Sequence, residues 1–297
     1  MDYSGNPARR IDRRAGTWTV LLWAALLSGC GQRNPAPPPP TAGQPPGQEK
    51  SAQTHALETG ADALPTRPPL RGLDVYMAGF HAAKDNPALQ TEAHHYCHRV
   101  NEEFSQCVLF DGDGDQANLI GIEYIISERL FDTLPETEQG YWHPHNYEIL
   151  SGQLMVPGMP EIAEMALLSG KLNSYGKTWH VWNAAPFGRP PDALPVGPPM
   201  LEWSFNHDGE ALPGLVEQRD RRMGLDSGQE RGQRAQLVSS ARPQAGVEAL
   251  KGKFVGTTHP IPGVSERKPV SEAPKPPPPE PPPKTIPPKA APSKHRL

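Results

Sequence analysis

This sequence has little cysteine, no long apolar run and no recognised catalytic loop. Its three cysteines, Cys30, Cys97 and Cys107, are too few for a disulfide-rich scaffold and form no Cys-x-x-Cys pair. The apolar run at residues 18–27 is too short to cross a bilayer, which takes about 20 residues. A nucleophile elbow, a P-loop and a dinucleotide fingerprint are all missing, as is any basic patch with interleaved aromatics. The net charge of −4 is unevenly spread. Residues 1–29 carry +2, residues 30–70 zero and residues 266–297 +4, which leaves −10 on residues 71–265. A body that acidic repels phosphate backbones, so nucleic acid is not expected as a partner.

Proline, by contrast, is abundant. The 38 prolines are far above ordinary usage and crowd residues 35–46, 65–69 and 269–292. Such stretches lack the apolar surface that would offset the entropy of ordering. Folded material is therefore expected over residues 71–240, the size of one domain. It would lie between a disordered Pro-rich linker (30–70) and a disordered Pro/Lys-rich tail (241–297). Proline-rich chain favours polyproline II at about 3.1 Å per residue, which can hold a domain far from an anchor.

Arg9, Arg10, Arg13 and Arg14 precede the apolar run, the order of a signal peptide over residues 1–29. It ends Leu27-Ser28-Gly29-Cys30, which resembles a bacterial lipoprotein lipobox, with Cys30 the acylated first residue of the mature chain. Gly31 in place of Asp resembles lipoproteins sent on to the outer membrane. The expectation is a lipid-anchored protein of the bacterial cell envelope, facing the periplasm from the outer membrane. Lipid headgroups or anionic cell-wall polymer are the candidate partners of the basic tail, which would then tether membrane to wall.

Between the ends, helical and strand periodicities interleave. That predicts an α+β domain with a mainly antiparallel sheet and a few short helices. Residues 75–83 are predicted helical, stopped by Lys84-Asp85-Asn86-Pro87. Residues 94–100 and 104–110 are predicted as a hairpin turning at Asn101-Glu102-Glu103, and residues 119–126 as a central strand. Residues 147–156, 178–183 and 200–205 are predicted as further strands. Thr133 and Glu136 have capping-box spacing before a short helix. Residues 160–175 are predicted as a helix with Ile162, Met165, Leu168, Leu172 and Tyr175 on one stripe, and Gly176 in the left-handed C-terminal position.

The chemistry-bearing residues concentrate between His94 and Glu148. His143-Pro144-His145 with Glu148 invites a metal reading, because alternate strand residues share a face and two imidazoles can chelate one ion. As a cupin signature it fails. Only two residues separate His145 from Glu148, which on an unbroken strand puts Glu148 on the face opposite both histidines, and Pro144 favours a strand start or loop. With His95 these residues outline a candidate ligand or metal cleft: His95, His143, His145 and Glu148. Histidines hydrogen-bonded in a half-buried cleft are the alternative. Cys97 and Cys107 are symmetric about Glu102 and a candidate disulfide in an oxidising envelope; free buried thiols are the alternative. Asp111-Gly112-Asp113-Gly114-Asp115 opens like a calcium loop, but Gln116 and Ile122 stand where Gly and Glu belong, which leaves a turn. Glu123, inside an apolar strand, is the carboxylate expected to be buried, with either a shifted pKa or a structural hydrogen bond.

From about residue 72 to 238 the chain resembles the oil body-associated protein family. The matching runs are Glu92-Ala93-His94-His95-Tyr96, Phe104-Ser105-Gln106-Cys107, Leu119-Ile120-Gly121-Ile122-Glu123-Tyr124-Ile125-Ile126 and Trp142-His143-Pro144-His145-Asn146-Tyr147-Glu148. Tyr175-Gly176-Lys177, Leu194-Pro195-Val196-Gly197-Pro198-Pro199 and Leu215-Val216-Glu217-Gln218-Arg219-Asp220 complete the order. The resemblance implies proximity to lipid and supplies no catalytic residues. The leading expectation is thus a structural or lipid-associated binding role with no turnover and no cofactor. The alternative is a metal- or small-ligand-binding enzyme built on the His-rich cleft.

Overall fold

The structure is a computed structural model that describes residues 50–62 and 70–268. The stretch expected to be a signal peptide, the expected lipidation site Cys30, the main proline runs and residues 269–297 of the expected tail lie outside the described residues. Helix α1 (Ala52–Asp62) falls in the stretch expected to be linker. Among the described residues no helix is long and apolar enough to cross a membrane.

The α+β expectation with a mainly antiparallel sheet holds, in a more specific form. Strands β1 (Val75–Ala83), β2 (Asn86–Asn101), β3 (Phe104–Phe110) and β4 (Leu119–Ile126) form a meander. After helices α2 (Glu128–Phe131) and α3 (Glu136–Gln139) come the two-residue β5 (His143–Pro144), α4 (Asn146–Leu150) and α5 (Glu161–Lys171). Then β6 (Tyr175–His180) pairs with β4, β7 (Met200–Trp203) pairs with β6, and β7 pairs back to β1. Six antiparallel strands therefore close into a barrel and leave no long open edge. Strand β5 lies beside the start of β6. Helices α6 (Leu215–Met223) and α7 (Ser227–Arg234) follow.

Register fixes what faces inward, because residues directly opposed across an antiparallel pair share a face. One inward row runs Met77, His95, Leu109, Gly121, His180; the next runs Cys97, Cys107, Glu123, Thr178, Glu202. The barrel interior is thus partly polar.

Several local expectations are corrected. Residues 75–83 form strand β1, not a helix. Barrel interior covers one face, while Met155 and the Arg219 guanidinium over Phe80 cover the other. A run buried on both sides carries no period to separate helix from strand. Residues 146–150 form α4, where a strand was expected. Residues 175–180 belong to β6, so Tyr175 leaves the α5 stripe, Gly176 is no helix cap, and Ile162 is 88% exposed. The Thr133–Glu136 capping box does not form: Thr133 donates to Leu130 O, whereas Ser127 caps α2. Residues 241–268, expected as tail, pack onto the domain through Val247, Leu250, Ile261 and Val264.

Two buried arginines hold α4 and its following loop against the barrel. Arg219 donates to Ala78 O and Gln153 O, and Arg234 to Ile149 O and Leu154 O. The turn at Asp111 is closed by Asn118, which donates to the Asp111 carboxylate from its backbone N–H and its amide. Cys97 and Cys107 face each other and form a disulfide inside the barrel. Closing a loop of that length stabilises by about 2–3 kcal/mol through the unfolded chain. Replacing both cysteines with Ala should lower the thermal midpoint by about 5–10 °C. Equal midpoints for wild type and variant under oxidising conditions would remove the bridge from the stability account.

Candidate functional site

The barrel interior gathers four histidines around Glu123. His95 comes from β2, His143 from β5, and His145 stands at the N-cap of α4. Glu123 Oε2 lies 2.9 Å from His95 Nε2, and Oε1 lies 3.2 Å from His145 Nε2. His143 Nε2 stands at 3.6 Å, beyond hydrogen-bond reach. His81, on β1, lies against His95, His143 and His180, with ring centroids 5.2–5.7 Å apart. Sequence reading grouped His95, His143, His145 and Glu148 in a cleft, and the structure places all four in the buried barrel interior. Each of the four is buried.

Local geometry explains how Glu148 arrives. Pro144 ends β5, and the chain turns into α4 instead of running on as a strand, so the alternation argument against Glu148 no longer applies. The turn is held from outside: Asn146 N–H donates to Gln244 Oε1, and Gln244 Nε2 donates to Ser174 O. His94 points the other way, with its Nδ1 2.7 Å from Tyr76 Oη. His81, His180, Glu202 and Gly176 were not anticipated. Each sits in an apolar or mixed strand with no spacing motif.

Burial dominates the electrostatics. It pushes the Glu123 carboxyl up, but the pull of His143, His145 and His95 outweighs it and holds the group well below the usual carboxylate range. Burial and then His95 push His81 well below the imidazole range. Burial lowers His145 to about 4, against Glu123, and His180 to about 3. Glu148 moves well above its ordinary value through burial and then the Glu123 charge. Burial alone takes Glu202 to about 8, and Lys171 falls to about 8 chiefly from burial. At neutral pH the interior therefore holds neutral His81, His145 and His180 beside an ionised Glu123.

The outer barrel face is of opposite character. The outward row Val108, Ile122, Trp179, Leu201 crosses β3, β4, β6 and β7. Leu119 (51% exposed), Tyr124 (38%) and Val181 (45%) extend it. A shallow hollow of about 420 Å³ lies there, lined by Leu119, Gly121, Ile122, Trp179, Val181 and Pro199.

Residues 67–238 match the family described as protein of unknown function (DUF1264). The chain is 35% identical over 205 residues to oil body-associated protein 1B of Arabidopsis thaliana, covering 69% of this chain and 82% of that one. It is 37% identical over 204 residues to oil body-associated protein 2A of Zea mays, covering 68% and 79%. The chain belongs to the oil body-associated protein family. These relatives are plant proteins, so they do not bear on the bacterial anchor expected from Cys30. No solved structure matches the chain. The histidines and Glu123 lie within the matched region of this family, whose biochemical function is unknown.

The Glu202 shift gives a test of interior burial. Its carboxyl titrates near 4.5 ordinarily and near 8 in the fold. A raised folded pKa gives stability that is complete below the unfolded value and lost as pH rises through the folded one. Relative to Glu202→Gln, the wild type should lose about 1.4 kcal/mol per pH unit between pH 5 and 7.5. Urea unfolding across that range checks it, and a pH-independent difference would place the group in water.

Proposed function

We propose that the domain is a lipid-surface binding module, tethered to an envelope membrane through acylated Cys30 and the proline-rich linker. The observation that carries this reading is the apolar outer row of β3, β4, β6 and β7. A monomeric soluble protein ordinarily keeps such patches small, and larger ones mark interaction surfaces. Ile122, 40% exposed, sits at its centre beside the half-buried Trp179, and a half-buried Trp with an exposed Tyr124 among aliphatics suits the boundary between headgroups and acyl chains. The relatives' association with oil bodies, as their names give it, supports the same chemistry. The wide hollow offers room for acyl methylenes and no polar group to select a hydrophilic ligand. No catalytic step is required by this role.

Flotation with phosphatidylcholine–phosphatidylglycerol vesicles tests it. The protein carries Cys30→Ser, so that the anchor contributes nothing. The unacylated protein should rise with the vesicles. Ile122→Asp with Trp179→Asp should cut binding at least about tenfold, since burying one large apolar side chain contributes about 1.5–3 kcal/mol. Both residues face outward, so the fold should persist by circular dichroism. Cys30→Ser protein with Ile122 and Trp179 intact that stays in solution with both lipids present would overturn the reading.

A further inference from the structure

Inside the barrel, on the opposite face of the same strands, several electron-pair donors converge on one small space. The ligand-capable atoms of His81, Glu123 and His143 all lie within 4.8 Å of one another. Gly176 leaves the gap they face. The point its Cβ would occupy is 2.2 Å from Glu123 Oε1, 2.5 Å from His145 Nε2 and 2.6 Å from His143 Nε2. His143 is 0% exposed, and neither of its ring nitrogens has a hydrogen-bond partner among the described residues. Buried polar atoms rarely stay so. The adjoining cavity, bordered by Glu123, His95, His145, Glu148 and Lys171, holds about 10 Å³. That is room for one ion or one water and for no organic ligand.

We propose that this space is a site for a single divalent first-row transition metal ion, held by Glu123, His81, His143 and His145. The spans fit. At metal–ligand distances of about 2.1 Å, the 3.2 Å and 3.6 Å separations from Glu123 Oε1 to His145 and His143 subtend roughly 100° and 120° at one ion, either side of the tetrahedral angle. The donor set of three imidazoles and one carboxylate suits zinc, iron, manganese or copper better than magnesium or calcium. The charge fits too: among the described residues the ion-pair partners of Glu123 are imidazoles, with no Lys or Arg within 4.0 Å.

The surrounding contacts are those of a second sphere. His95 Nε2 meets the other oxygen of Glu123 and orients the carboxylate. His81 Nδ1 is 3.3 Å from His180 Nε2, which leaves the far ring nitrogen of His81 for the ion. Ser174 Oγ lies 2.8 Å from His145 Nδ1 and donates to Lys171 O at 2.7 Å. It can therefore accept from Nδ1–H and leave a lone pair on Nε2. Partners of this kind fix the tautomer of metal-binding histidines.

The test strips the full chain with EDTA, then titrates it with cobalt(II) and with zinc(II). Readouts are metal per chain after gel filtration, the visible cobalt(II) spectrum and thermal unfolding. One ion per chain and an upward shift of the midpoint are expected, because binding to the folded state alone stabilises it. Gly176→Ala keeps every donor and fills the space with a methyl group; it should lower cobalt affinity at least about tenfold, within the range of losses seen when a metal site's supporting shell is disturbed. His143→Ala should do the same. Occupancy below about one tenth in the wild type, whose structural-site affinities would ensure saturation, overturns the proposal. So does wild-type affinity in both variants, which would place the ion elsewhere. If either variant loses its circular dichroism signature, the wild-type stoichiometry and midpoint shift decide alone.

Discussion

Burying one carboxylate inside a closed barrel is the constraint on which the rest of this structure depends. An ionised group removed from water costs several kcal/mol unless partners replace its hydration. Glu123 finds them in His95, His145 and, at longer range, His143. Those imidazoles come from β2, from β5 and from the cap of α4, with His95 far in sequence from the other two. Holding them there requires β5 to pair with β6, Pro144 to break the strand, and Gln244 to secure the start of α4. Arg219 and Arg234 then clamp the loop that follows. Much of the chain outside the meander thus serves to keep three rings around one charge.

The barrel also distributes its side chains unusually. Small barrels ordinarily fill their interior with apolar side chains and turn polar ones to water. Here β4 alternates the other way in part, with Glu123 inward and Ile122 and Tyr124 outward. An apolar exterior is tolerable if something apolar meets it, and a polar interior if its groups satisfy one another. The lipid-facing reading and the metal site answer these two requirements separately, on opposite faces of the same strands.

How much of this was legible in the sequence depended on whether a residue's neighbours carried a period. Strand β3 was readable to the residue because one face of it is buried and the other is not, and β4 because it is a nearly continuous apolar run of strand length. Strand β1 was misread because burial on both faces erased that alternation. The extension over residues 241–268 was invisible for another reason. Its anchors, Val247, Leu250, Ile261 and Val264, are spaced by loop geometry, which leaves no pattern along the chain. His95, His143, His145 and Glu148 stood out as chemistry-bearing types clustered in sequence. His81, His180 and Gly176 did not, because only the barrel's closure carries them to the same place.

Register is what keeps the two faces apart. Side chains alternate with a period of two, so a one-residue slip of β4 would carry Glu123 to the outer surface and Ile122 into the histidine cluster. Neither could be accommodated: the carboxylate would lose its imidazoles and the cluster would gain a branched aliphatic. The disulfide fixes β2 against β3 at Cys97 and Cys107, but what opposes a slip of β4 is its own pairing. The irregularity between Leu109 and Phe110, where Gly121 and then Leu119 are the partners, breaks the translational equivalence that slippage needs. Gly121 itself admits no side chain, since a Cβ there would lie 2.3 Å from Trp179 O. The residue that lets β4 and β6 approach so closely is therefore also one that only this register can place between them.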